Sequence, residues 1–388
     1  MDRSVADTRS TATPASDVAA PIGAVAAPRA AEPGTPVAGL ARPGPPIRRK
    51  VKINNDRVNK HNLTTHLDFE GNRAAKDLLT PIAEDWIKGK DEREFNSAAS
   101  FRAALVKQLT ETWRDEFKLS HPTLYAFLKP TELNTIMYMC RIGRGFDGLR
   151  LEKALKAAKG AAHVDQASIP KAFSPGKLPP EEAGWGAFSE PWAAKIPGTE
   201  GLAGELEAAA SVDPTTLQRG QKVRLSSDFD LGATIGGQDT QDADVSFMDS
   251  QGQKVLVEVA DSVRRLRDKM GVTGSAQRAR YNRLRDQDES IVLAYSSPRA
   301  EWLEFFTGDA GSSVAEGLVA LDPPWGLMLD GQYVSPVDLA RVTAIIQGAA
   351  PSVSGFEDAL AASGLTYAQV SAMSSKQLSD RLQRNARH

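Results

Sequence analysis

Asp244 and Glu258 stand on either side of a hairpin turn, Ser250-Gln251-Gly252, in the stretch DADVSFMDSQGQKVLVEVA. Asp244 opens one apolar-alternating run, 243–248, and Glu258 lies near the end of the next, 254–260. Side chains alternate faces along a strand, and a tight turn pairs such runs antiparallel. That pairing brings the two carboxylates together beside a backbone carbonyl such as that of Val259. Hard oxygen donors of this kind suit Mg²⁺ or Mn²⁺. A metal held there polarises a phosphodiester and lowers the pKa of an attacking water.

Around this pair the sequence predicts the order α-β-β-β-α-β. A helix runs from Leu202 to about Ala210, and strands follow near 223–229, 243–248 and 254–260. A helix around 274–286 and a strand at 290–296 complete it. Between Arg264 and Arg285 eight arginines and lysines face one acid, Asp268, a local charge of +7 in a chain of −2. Gln277, Tyr281 and Leu284 share one helical face, and Arg278 and Arg285 a neighbouring one. Arg264, Arg265, Arg278, Arg280 and Arg285 are the expected nucleic-acid contacts, gripping phosphates without reading sequence.

The rest of the chain divides by composition. Residues 1–46 hold twelve alanines and eight of the 23 prolines, too little apolar surface to offset ordering entropy, which predicts a disordered tail. A short basic strand, Ile47-Arg48-Arg49-Lys50-Val51-Lys52-Ile53, opens a small, mainly helical domain at 47–165. In it Phe101, Leu105, Leu109 and Trp113 recur at spacing four behind a cap at Asn96 or Ser97. A Pro-rich linker is expected at 166–199, the αβββαβ domain at 200–298 and a helical region at 299–388. The expected fold class is thus α+β and multidomain.

With 41% hydrophobic and 25% charged residues the composition is that of an ordinary globular chain, so nucleic-acid affinity must come from local patches. Cys140, the single cysteine, excludes an internal disulfide and falls in an apolar run. No apolar run approaches the ~18 residues of a membrane span, and the N-terminus lacks the apolar core of a Sec signal. There is no P-loop, dinucleotide fingerprint or Gly-x-Ser-x-Gly elbow, and the histidines are too scattered for a metal motif.

An Asp, a spacer and Glu-x-(Lys) in αβββαβ order resembles the PD-(D/E)xK, or restriction-endonuclease-like, nuclease fold. The resemblance covers about residues 200–297, a quarter of the chain. It implies Asp244 and Glu258 as metal-binding acids, Gln277 as the orienting glutamine of the following helix, and Glu205, with Glu207 second, as the additional helix acid. The family lysine, which orients or activates the nucleophilic water, is replaced by Ala260. Lys254 shares the strand face but lies about 13 Å away at strand rise. Some members of the fold carry the basic group on the next helix, which points to Arg264, Arg265 or Lys269. The activity implied is a metal-dependent nuclease acting on DNA in preference to RNA. The alternative is a catalytically inactive nuclease-fold binding or adaptor protein.

A long Ala/Pro-rich tail, a helical module and a nuclease-like domain together resemble bacterial polymorphic toxins or effectors. The basic strand after the Pro-rich tail is similar to junctions in cargo proteins of contractile injection systems. These resemblances imply a delivery apparatus reached through the N-terminal region and an immunity protein as partners. They also imply synthesis in a bacterial cytoplasm, then export or injection without a Sec signal.

Overall fold

The structure, a computed structural model, describes residues 51–67, 73–89, 92–142, 147–173, 190–230, 240–271, 275–307 and 313–385. The tail at 1–46 lies outside them. Residues 48–388 form one compact unit. The fold is mixed α/β, with two sheets among the described residues.

Val51–Ile53 (β1), Asp56–Arg57 (β2) and Arg93–Phe95 (β3) make a small sheet in the order β2-β1-β3. Asn54 and Asn55 turn the chain between β1 and β2 at positive φ (51° and 65°), a region asparagine enters more readily than most residues. The region expected to be mainly helical behind one basic strand therefore carries a three-stranded sheet. Its long helix, Ala98–Ser120, starts at a capping box between Ser97 and Ser100 and buries Phe101, Leu105, Leu109 and Trp113, a spacing of one turn.

The larger sheet contains Arg224–Asp230 (β4), Thr240–Met248 (β5), Lys254–Val259 (β6), Ile291–Ser296 (β7), Gly326–Leu329 (β8) and Gln332–Val334 (β9), ordered in space as in sequence. β4, β5 and β6 form an antiparallel meander, while β6, β7 and β8 run parallel. Parallel neighbours need a crossover. The helices Val263–Met270 and Ser275–Gln287 supply the first, and Val314–Val319 lies in the second.

Helices cover both faces of this sheet. On one, Val245, Phe247, Val255, Val257, Val259 and Ala294 share a core with Leu202 and Leu206 of the helix Glu190–Ser211 and with Leu105, Trp113, Leu151 and Leu155. On the other, Leu256, Ala260, Leu293, Tyr295 and Leu327 pack with Leu266, Tyr281, Leu284, Leu339 and Val342. The helical module expected as a separate 47–165 domain thus buries its apolar face against the sheet.

Two expectations need correction. The stretch 166–199 is not only a linker, because the helix Ile169–Ala172 and the first turns of Glu190–Ser211 fall inside it. The region 299–388 is not wholly helical, because it contributes β8 and β9 to the sheet. Asp330 and Gly331, at φ of 48° and 78°, form the two-residue turn that matches the twist of such a hairpin. Among the described residues no helix is long and apolar enough to cross a membrane.

Candidate active site

The β5–β6 turn is tied by Asp249, whose carboxylate accepts from the N–H groups of Gln251 (2.9 Å) and Gln253 (2.8 Å), with Gly252 at a φ of 79°. The register it sets pairs Val245 with Val257 and Ser246 with Leu256. Continued by one residue, that register places Asp244 opposite Glu258. There the ladder gives way to a side chain, and Asp244 Oδ2 accepts the Val259 N–H at 2.8 Å.

Ala260 is 1% exposed in the apolar cluster of its sheet face, and its N–H donates to Ser296. A lysine there would begin inside the core. The basic group arrives instead from the next helix. Ser262 caps Val263–Met270 by accepting from the Arg265 N–H. Val263, Leu266 and Lys269 then recur at spacing three, on the core-facing side. Lys269 Nζ donates to Glu258 Oε1 and, at 2.7 Å, to the carbonyl of Val259. Of the three basic residues expected to replace the missing lysine, Lys269 reaches the acid pair, while Arg264 and Arg265 are exposed.

Glu258, 2% exposed, also accepts from the hydroxyl of Tyr281 at 2.9 Å. Tyr281 is fully buried and meets Trp325 edge to face, and Trp325 stacks on Tyr295 at 4.7 Å. These rings form an apolar floor under a carboxylate. Burial first, and Asp244 second, lift the Glu258 carboxyl to about 7 against the pull of Lys269 and Tyr281. Burial also opposes the charge of Lys269, but Glu258, Asp244 and Glu205 outweigh it and raise the ammonium above its ordinary value. The two shifts agree, because one lysine answers several carboxylates and cannot fully compensate each.

Glu205 is buried on Glu190–Ser211, within electrostatic reach of Lys269. Among the described residues no three acids, histidines or cysteines form a metal-holding group, so Glu205 does not complete one with Asp244 and Glu258. Glu207, two positions on, points elsewhere. Both its oxygens take Arg150, at 2.9 and 2.7 Å, and the third arm of that guanidinium grips Asp261 just beyond β6.

The expected arginine contacts are dispersed. Arg278 donates to the Met270 carbonyl at the end of the preceding helix, which fixes it structurally. Arg285 is half-buried, and its Nη1 has no partner among the described residues. The side chains of Gln277 and Arg280 lie outside the described residues. Burial, with Asp147 nearby, pushes the Cys140 thiol up to about 12, so it is no nucleophile at neutral pH.

Sequence reasoning missed Tyr281 and Arg150 as site residues. Tyr281 carried a signal, since it shares a helical face with Gln277. Arg150 carried none. Set against known protein families, curated proteins and solved structures, the chain matches none.

Proposed function

We propose that the chain is a metal-dependent phosphodiesterase, a nuclease of restriction-endonuclease-like architecture acting on DNA in preference to RNA. The observation that carries this reading is a single positive centre, Lys269 Nζ, held jointly by Glu258 Oε1 and the Val259 carbonyl beside Asp244. The ammonium serves as a stand-in cation: the backbone and an acid already converge on one point with hard oxygens, as Mg²⁺ or Mn²⁺ would require. Asp244, Glu258 and the Val259 carbonyl would hold the ion, which when bound would polarise the phosphodiester and supply a water of lowered pKa.

The protein's own groups fill the remaining roles. Lys269, kept protonated by its carboxylate neighbours, presents charge and N–H donors to a phosphate oxygen. Glu258, raised to about 7 by burial and by Asp244 in the metal-free site, would be held ionised by a bound cation. Tyr281 fixes the carboxylate's orientation, and the exposed Arg264 and Arg265 meet the phosphate backbone. The sequence layout supports a bacterial toxin or injected effector, checked by growth arrest on expression of the wild type and not of Glu258→Ala.

A second reading has its own observation. Both oxygens of Glu258 are already engaged, by Lys269 and Tyr281, and no third ligating side chain joins the acid pair among the described residues. That arrangement suits a retired nuclease fold that binds without cutting. The full chain incubated with supercoiled plasmid in Mg²⁺ or Mn²⁺ separates the two. Nicking that is abolished by EDTA, by Asp244→Ala and by Glu258→Ala supports the enzyme. Binding that survives EDTA with no cleavage supports the adaptor, and cleavage indifferent to both substitutions rejects the site.

A further inference from the structure

A cleft of about 210 Å³ opens at the carboxyl ends of β7 and β8, lined by Ser296, Ser297, Trp302, Phe305 and Asp330 among others. Ligands of sheets with parallel strands gather at this end. Ser296 is the register partner of Val259, whose carbonyl holds Lys269, so the cleft begins one strand away from the candidate active site.

Its lining is specific. Ser297 is 4% exposed, and its hydroxyl has no hydrogen-bond partner among the described residues, an uncommon condition for a buried polar group. Trp302 donates its indole N–H to the Leu365 carbonyl at 2.9 Å and is braced by Phe306 and Tyr367, so the ring is fixed in place. Asp330, exposed on the left-handed turn between β8 and β9, brings a carboxylate to the rim. A fixed aromatic ring and a rim acceptor make a pocket for a planar heterocycle with an N–H edge.

We propose that this cleft receives one unstacked nucleobase of a single-stranded substrate whose phosphodiester lies at Glu258 and Lys269. The substrate class rests on the phosphodiesterase reading, whereas the pocket chemistry does not. Guanine has the complementary edge: its adjacent N1–H and N2–H donors suit the two oxygens of Asp330. Uracil and thymine offer a single N–H between two carbonyl oxygens, so they cannot make that paired contact.

The test is calorimetric titration of the full chain in EDTA with 5′-GMP, 5′-UMP and inorganic phosphate. GMP is expected to bind about tenfold more tightly than UMP, the scale of a good bidentate base contact. Asp330→Asn, which tolerates the left-handed turn, and Ala300→Leu, which fills the cleft, should each remove that preference and leave phosphate binding unchanged. Equal affinity for GMP and phosphate, or a GMP preference that survives both substitutions, overturns the pocket. Cleavage of single-stranded DNA without base preference sinks this inference alone. Base preference in a chain that never cleaves sinks the nuclease reading and leaves the pocket standing.

Discussion

Two charge clusters flank the end of β6, and they are built on opposite plans. Arg150 takes Glu207 with two arms and Asp261 with a third, joining the helix Gly148–Gly160, the helix Glu190–Ser211 and the exit of β6. Each acid has a donor, and the planar fork fixes the angles. At Glu258 the cation is a compact ammonium on a flexible stem, facing more negative charge than it can answer. The acid's pKa rises where a satisfied ion pair would depress it. A fork that saturates its partners makes a joint, and a point charge that leaves them short makes a site able to exchange protons or cations.

The largest expected effect lies at the joint. Arg150→Met strands Glu207 and Asp261 and should lower unfolding stability by about 3 kcal/mol, read from denaturant midpoints. A loss under about 1 kcal/mol would class the cluster with ordinary surface pairs and dissolve the contrast. Lys269→Met should do the reverse. On the phosphodiesterase reading, cleavage should fall about a hundredfold, roughly 2.7 kcal/mol of transition-state stabilisation. Stability barely moves, because Glu258 takes a proton rather than stand as a lone buried anion. Similar stability losses from the two substitutions would show the clusters to be alike.

Tyr281→Phe removes one hydrogen bond to Glu258 and should cost about 1 kcal/mol. It should also move the acid limb of the pH–rate profile upward, since the charged form loses a donor. The last effect is read from pH dependence. Glu258 moves from 4.5 to about 7 on folding, so between those values the native state holds a proton the unfolded chain has released. Its contribution to stability is complete below pH 4.5 and is lost as pH rises through 7. Glu258→Gln should flatten that slope in urea midpoints measured across the window. A slope unchanged by the substitution would mean Glu258 is not the frustrated group.

How much of this could be read from the residues depends on distance along the chain. Asp244 and Glu258 were legible because a period-two pattern and a short turn fix the register. Lys269 was one of three basic candidates, and helical phase selects it, three residues beyond Leu266 on the buried side. Glu205 ranked ahead of Glu207 for one role, and residues two apart on a helix do face different directions, one into the core and the other to Arg150. The Arg150–Asp261 bond spans 111 positions and leaves no local trace. The β8–β9 hairpin did leave one, the Asp330-Gly331 dipeptide, but flanking runs this short do not declare their period.

Trp325 stacks beneath Glu258's neighbourhood, yet it lies far downstream of the acid pair it helps to shield. On a ribosome, where synthesis runs N-terminus first, the hairpin bearing Asp244 and Glu258 emerges well before that ring does. Until Trp325 and β8 follow, Tyr281 lacks its edge-to-face partner, and water reaches the carboxylate from below. The burial that raises Glu258 is therefore assembled only once Trp325 has emerged. On the phosphodiesterase reading, the complete site would exist only after Trp325 has joined the fold.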